Sequence, residues 1–452
     1  MIWLIDYTHY KKDVDPRLVE SKRTYFRLKS YVRYKKIGET APVSNRVYGI
    51  GLLRLATILA NNGIEVRYMH YYMLEDEIKN NGKMPEAVAF SAVCPTVPLC
   101  AELAKKIKSL SPGTEIMIGG PHVNLNPNET ARRFPIFDRI ITGYEHEAAE
   151  KIAGIKLREI TEPYADFSLL PFPLKDYAIN TFTSMGCPFR CNYCVDGRAP
   201  HFCANPDGQI EQLKKLLPER NLVHFFDSVL GYSREGILRV CEKLKNSGHK
   251  LLLSCDMRAE LLTPEIVRAL EEAGFVEIRM GFESSDPDIL STNNRTLTPD
   301  IFLNQVKMVR ESSHLYITLY SITGIPGTDA ETQEKTLRFC DELFKEGLVD
   351  EIKNALYVPY PIEGVCYADR GITLLSEEWE NYDRQSFPVF KTDRLDADEL
   401  WELYIHTAES INQSWLKGLG FDSFDDVPLI EGYYSEYIED KYLNTNPKTR
   451  ED

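Results

Sequence analysis

Short apolar runs alternate with amphipathic runs in two successive stretches of this 452-residue chain, which restricts it to α/β folds with parallel strands. In the first stretch MIWLID, IEVRYMHYY, AVAFSAV, EIMIGG and FDRIITG read as strands. Helical runs lie between them, such as PLCAELAKKIKSL and VYGIGLLRLATILANNG, the second ending on an Asn-Gly stop. The pattern predicts a doubly wound, Rossmann-like domain over residues 1–155. Ligands of such sheets sit beyond the carboxyl ends of the strands. Here those ends carry Ser91, Gly119-Gly120-Pro121-His122 and Gly143-Tyr144-Glu145.

The segment ITEPYADFSLLPFPLKDY has no period and reads as a linker, placed at 156–175. Alternation then resumes with TFTSMG, NLVHFFD, KLLLSCD, VEIRMGFE, LYITLYSITG and IKNALYVPYP. Six strand–helix repeats predict a partial (β/α)6 barrel of the TIM type over residues 176–375, with its site at the strand ends. Residues 376–452 read as a helical C-terminal extension, built on LDADELWELYIHTAESINQSWL and closing in an acidic, tyrosine-rich tail.

A formal charge of −15 argues against nucleic acid as a partner. No apolar run is long enough to span a membrane, and nothing reads as a signal peptide. Ten cysteines, scattered apart from one triplet, suit a reducing compartment, so a cytoplasmic enzyme is expected. One segment breaks the acidic balance: residues 11–36 hold ten Lys/Arg against three Asp/Glu, with Tyr25, Phe26, Tyr31 and Tyr34 interleaved. It reads either as a solvated amphipathic helix or as an insertion that embraces substrate or cofactor and neutralises phosphates or carboxylates.

The triplet lies just after the first barrel strand, in TSMGCPFRCNYC. Cys187, Cys191 and Cys194 are spaced C-x-x-x-C-x-x-C, and no second Cys/His pair follows, as a zinc site would require. A cubane iron–sulfur cluster takes four ligands. Three cysteines hold three irons and leave the fourth open to a molecule that chelates through an amine and a carboxylate.

These motifs occur in a telling order: GGPH, then Gly143-Tyr144-Glu145-His146-Glu147, LPFP, the cysteine triplet, HFFD, GFESSD, SITGIPGTDAET and VPYP. In that order the chain, from about residue 45 to 375, resembles the cobalamin-binding radical SAM proteins, which include methyltransferases of unactivated carbon and phosphorus. The resemblance implies a 4Fe-4S cluster, S-adenosylmethionine, cobalamin and an electron donor such as flavodoxin or ferredoxin. It implies reductive cleavage of S-adenosylmethionine to a 5′-deoxyadenosyl radical and methylation of a small-molecule or peptide natural product. Tyr193, Glu283, Ser284, Ile325, Pro326 and Gly327 would surround S-adenosylmethionine, with Asp227 and Arg258 beside it or the substrate. Ser91, Gly119, Gly120, His122, Gly143 and Glu145 would face cobalamin.

Three departures from the family stand out: Met185 before the Gly-Cys step, Tyr144 in the G-x-E run, and PIEG after VPY. The D-x-H-x-x-G pattern of a histidine-ligated cobalamin is also absent. Asp6-Tyr7-Thr8-His9 has its place but not its spacing, so His9 and His122 read as surface or capping residues rather than axial ligands. A radical cyclase, rearrangement enzyme or epimerase, with cobalamin assisting or absent, is the alternative. An epimerase needs a hydrogen donor in its pocket, for which Cys203, Cys255 and Cys366 are candidates. A cluster-bearing sensor is a third reading.

Overall fold

The computed structural model describes residues 1–7, 15–38, 47–81, 84–160, 163–174, 177, 179–203, 207, 208, 210, 211, 213, 222–246, 252–384 and 386–430. His9, residues 11–14 of the basic segment and the acidic tail after residue 430 lie outside them.

Five parallel strands form the first sheet: β1 (Ile2–Tyr7), β2 (Val66–His70), β3 (Ala87–Ala92), β4 (Glu115–Gly119) and β5 (Arg139–Ile140). Their spatial order is β2-β1-β3-β4-β5, which reverses between β1 and β3. That doubly wound order opens a ligand crevice at the switch point, beyond Tyr7 and Ala92. Both faces of β1 are covered. Leu4 packs into one apolar cluster and Trp3 and Ile5 into another, all at 0% exposure, so the strand reads as an unbroken apolar run. Asp6, at the end of β1, accepts from the Gly49 amide at 2.6 Å and the Tyr68 hydroxyl at 2.5 Å, fixing the start of the Ile50–Asn61 helix.

The second sheet holds β6 (Ile179–Thr181), β9 (Leu222–Phe225), β10 (Leu252–Met257), β11 (Phe275–Glu283), β12 (Tyr316–Thr323) and β13 (Glu351–Leu356), side by side in chain order and all parallel. This is the partial barrel expected from the sequence. A short antiparallel pair, β7 (Ser184–Met185) and β8 (Phe202–Cys203), interrupts it after β6. Its helices start on side-chain caps visible in the sequence. Thr263-Pro264 and Thr298-Pro299 each pair a hydroxyl N-cap with proline at the first turn, and Asp329 forms a capping box with Thr332. Beyond the barrel, β14 (Ile372–Leu374) pairs with β15 (Phe390–Thr392), and a long helix, Ala397–Gly418, returns to the barrel. No helix of the described residues is long and apolar enough to cross a membrane.

The basic segment corrects both sequence expectations. It forms the helix Pro16–Ile37, which leaves the first sheet after β1 and lies against the amino-terminal ends of the barrel strands and the Ala397–Gly418 helix. Arg33, 1% exposed, pairs with Glu277, also 1% exposed, at 3.1 Å. Lys29 pairs with Glu351 at 3.4 Å, Lys36 with Asp350, and the Tyr25 hydroxyl donates to Glu351. The helix does neutralise carboxylates, but they are the barrel's own, at the end opposite the site. Burial alone would raise the Glu277 carboxyl; Arg279 and Arg33 hold it well below the usual range. Asn412 of the C-terminal helix donates to the Ser21 carbonyl at 2.9 Å, and Trp415 stacks on Phe344 at 5.8 Å, completing the floor.

Removing Arg33 takes away one of the two guanidiniums that face Glu277 and leaves Arg279 as its partner. Arg33→Met is therefore expected to cost about 1–3 kcal/mol in denaturant unfolding, less than a fully stranded charge would. Arg33→Met and Glu277→Gln together should cost less than the sum of the two singles; strictly additive losses would contradict the pairing.

Candidate functional site

The cysteine loop is held at both ends and along its length. Past β6, the Asp227 carboxylate accepts from the Thr183 amide at 2.8 Å, the Thr183 hydroxyl at 2.5 Å and the Ser184 hydroxyl at 2.9 Å. The β7–β8 pair then closes the loop, which requires glycine at Gly186: φ is +71° and a Cβ would sit 2.5 Å from the Pro200 carbonyl. Within the loop, the Asn192 amide donates to the Asn293 carbonyl at 3.1 Å. Asn294 donates to the Arg190 carbonyl at 2.7 Å and Arg370 to the Asn192 carbonyl at 2.6 Å. Asp227 is thus a brace of the loop, with its oxygens occupied by the turn that precedes Cys187.

Cys187 and Cys191 are buried and Cys194 is half-buried. Burial pushes the Cys187 thiol up and the Cys194 thiol to about 12, so a metal that binds here must displace protons. Arg258 donates to the Cys191 sulfur at 3.7 Å while its guanidinium stacks 4.1 Å over the Phe189 ring. Among the described residues no three His, Cys, Asp or Glu side chains converge as ligands of a single ion. In a cubane each cysteine takes its own iron, so three thiols spread along one loop suit a cluster better than one zinc ion.

Around the loop the structure assembles most of the predicted shell. The Tyr193 hydroxyl donates to Glu283 Oε1 at 3.0 Å. Glu283 ends β11 in the left-handed region, at φ +65°, and its side chain folds over Gly281, where any Cβ would collide with Oε1. Burial raises its carboxyl, partly offset by Arg295. Ile325 is fully buried in one apolar cluster with Tyr193, Tyr357, Tyr367 and Phe390. The Pro326 carbonyl accepts from Asn293 at 2.9 Å, and Gly327 takes φ +96°. Asn293 therefore ties the cysteine loop to the Ile325-Pro326-Gly327 bend. Sequence reading missed it, along with Arg295 and Arg370; the polar Asn293-Asn294-Arg295 run at the end of the short Pro287–Thr292 helix was the available signal.

Other predicted residues lie elsewhere. Ser284 turns to the outer helical layer, its hydroxyl 3.3 Å from that of Thr336. Cys255 is fully buried among apolar residues that include Cys241 and Leu253. Its strand neighbours Ser254 and Asp256 take the other face, which leaves Cys255 turned away from the lumen. Cys366 is exposed, and the exposed Cys203 lies 3.2 Å from the Tyr232 hydroxyl.

In the first domain the strand ends press close together. A Cβ on Gly119 would lie 2.8 Å from the Ile141 carbonyl, and one on Gly120, at φ +110°, 2.6 Å from the Ala92 backbone. Ser91, Gly119, Gly120 and Gly143 stay on this rim. His122 instead turns beneath Trp379, ring centroids 4.3 Å apart, and burial pulls its pKa down to about 3. Glu145 turns inward to the Tyr164 hydroxyl, with Arg54 at 3.7 Å. The rim meets the barrel mouth through two of the family departures. Tyr144 stacks on Phe202 of β8 at 5.9 Å. Glu363 of the PIEG turn accepts from the Glu129 amide at 2.6 Å and Asn128 at 3.0 Å, capping the Pro127–Arg133 helix.

Burial raises the Asp227 carboxyl to about 6, against hydrogen bonds from Thr183 and Ser184 that lower it. A folded-state value above that of a free aspartate means that the fold favours the protonated form. That contribution is complete below about pH 4 and is lost as pH rises through about 6. Measured by denaturant unfolding, the wild type is expected to lose about 2–3 kcal/mol relative to Asp227→Asn between about pH 4 and pH 7. Parallel profiles would contradict the assignment.

Residues 40–153 match the family model of the B12 binding domain, and residues 181–340 that of the radical SAM superfamily. The chain is 23% identical, over 71% of its length and 77% of the relative's, to an uncharacterised methyltransferase of Pyrococcus horikoshii. It is 25% identical to the hopanoid C-2 methylase of Rhodopseudomonas palustris over 50% of its length, spanning about half (47%) of that protein. In fold it is similar to the radical S-adenosylmethionine methyltransferase TsrM of Kitasatospora setae, solved with cobalamin and a [4Fe-4S] cluster. That likeness has TM-score 0.62 and 15% identity, over 95% of this chain and 91% of that one. OxsB, a cobalamin-dependent S-adenosylmethionine radical enzyme, follows at TM-score 0.53 and 14% identity, over 76% of this chain and 52% of that one. A B12-binding domain followed by a radical SAM domain makes this chain a cobalamin-binding member of the radical SAM superfamily.

Proposed function

We propose that this protein is a cobalamin-dependent methyltransferase of an unactivated carbon in a small-molecule or peptide natural product. The contact of Tyr144 with Phe202 carries the reading, because it sets the switch-point rim of the B12-binding domain against the hairpin that closes the cysteine loop. When bound, the cluster would supply the electron that cleaves S-adenosylmethionine to a 5′-deoxyadenosyl radical, and cobalamin would carry the methyl group.

The chain's own residues divide the work. Cys187, Cys191 and Cys194 hold three irons, and Arg258 donates to the sulfur of Cys191. Tyr193, Glu283 and the Ile325-Pro326-Gly327 bend would hold S-adenosylmethionine, Glu283 offering a carboxylate to its polar groups and the apolar cluster a surface for its adenine. Ser91, Gly119, Gly120 and Gly143 leave room for a flat corrin against backbone. His122, turned under Trp379, supplies no ligand to it. Asp227 positions the loop and touches no reactant. Domain limits near residues 155, 175 and 375, a cytoplasmic setting and a flavodoxin or ferredoxin as electron donor complete the reading.

TsrM, in its solved complex, holds tryptophan as substrate. The relative named anaerobic magnesium-protoporphyrin IX monomethyl ester cyclase, 20% identical over 74% of this chain, favours a second reading as a radical cyclase or rearrangement enzyme. Product analysis separates them. With the reconstituted enzyme and its substrate, methylation predicts S-adenosylhomocysteine and 5′-deoxyadenosine together, in about equal amounts. 5′-Deoxyadenosine without S-adenosylhomocysteine would favour the second reading and contradict the first.

A further inference from the structure

Beneath the cysteine loop, polar side chains of β9 to β13 turn into the lumen, among them His224, Asp256, Arg279, Tyr320 and Lys353. The strand register sets Asp256 beside Arg279 and Tyr320 beside Lys353. His224 Nε2 lies 3.2 Å from Asp256 Oδ2 and 3.4 Å from Arg279 Nη1, and the Lys353 ammonium sits 5.7 Å from the centre of the Tyr320 ring. Asp256 precedes by two positions Arg258, the residue just past the end of β10 that reaches Cys191. The ring is therefore about 7 Å deeper than the loop contact. Solvent reaches it: the Asp256 and Arg279 side chains are 27% and 20% exposed, and Lys353 is exposed.

The charges in this recess do not balance. On the floor, Arg33 and Lys29 are engaged by Glu277 and Glu351, and Arg279 gives Nε to Glu277 at 3.0 Å. Lys353 makes no hydrogen bond or ion pair among the described residues, and the strongest charges acting on it are Lys29, Lys22 and Arg279, ahead of Glu351. Asp256 Oδ1 is buried with no partner. Lys353 thus presents an ammonium with no counter-ion among the described residues to a solvent-reached recess, with other cations close by, and an entering anion would be attracted there.

We propose that this lumen ring is the substrate's binding site and that it takes a carboxylate, held by Lys353 and Arg279 Nη1, beside a donor on the same molecule that Asp256 Oδ1 accepts. A single negative charge matches Lys353, the ring cation with no hydrogen bond or ion pair among the described residues, whereas a dianionic phosphate would also face Asp256 and the floor carboxylates. The inference rests on the methyltransferase reading and names the substrate class of that same site.

Equilibrium dialysis of the reconstituted, S-adenosylmethionine-loaded protein tests it, against a panel of aromatic and aliphatic carboxylic acids, each paired with its primary amide. At least one acid is expected to bind about tenfold or more tightly than its amide. Lys353→Met and Lys353→Gln should both abolish that preference, Lys353→Arg should keep it, and the surface control Lys105→Met should leave it unchanged. Binding of no acid, equal binding of acids and amides, or a preference that survives in both Lys353→Met and Lys353→Gln would overturn the proposal. Failure of the protein to take up a cluster or cleave S-adenosylmethionine would count instead against the reading beneath it.

Discussion

Two carboxylates buried at the barrel floor, Glu277 and Glu351, impose the constraint on which the rest of this architecture depends. Isolated carboxylates in such a place would protonate or open the floor. Arg279 of the barrel and Arg33 share Glu277, while Lys29 answers Glu351; Arg33 and Lys29 both come from a helix inserted after the first strand of the other domain. The first domain thus completes the barrel floor, and a single apolar cluster runs through both, from Leu4 and Leu53 to Ile317 and Trp415. Such a shared core fixes the orientation of the two sheets.

That orientation sets two rims of strand ends against each other. On one rim, Gly119 and Gly120 let three strand ends approach at backbone distance. On the other, Gly186 and Asp227 shape the loop that presents three thiols. Tyr144 and Glu363, both departures from the family's pattern, form contacts that hold the rims together. Many side chains on these rims thus hold backbone in place. Glu283 shows the result: its left-handed conformation and the missing Cβ of Gly281 aim one carboxylate at Tyr193.

Sequence alone exposed the parts of this arrangement that are periodic or locally spaced. Parallel strands covered on both faces leave continuous apolar runs, helix starts carry Thr-Pro or Asp caps, and the cysteine triplet is compact in the chain. Tyr193 and Ile325-Pro326-Gly327 were legible for the same reason, lying beside the triplet or at a strand end. Side-chain direction was not legible. Ser284 and Cys255 differ from their useful neighbours by one residue, which in a strand means the opposite face. Nor could spacing show that the cations of residues 17–36 answer carboxylates more than 240 positions away, or that His122 turns under Trp379 rather than toward the crevice. Those are long-range pairings, decided by packing.

The central claim is that three cysteines leave one iron open and that S-adenosylmethionine occupies it beside Glu283. Electron–nuclear double resonance on the reduced, reconstituted protein tests this directly, using S-adenosylmethionine labelled with 15N at its amino group. The account predicts a 15N coupling to the cluster spin that disappears when unlabelled S-adenosylmethionine replaces the labelled form. A reduced cubane signal with no 15N coupling, or a cluster that still forms when Cys187, Cys191 and Cys194 are all alanine, would contradict it.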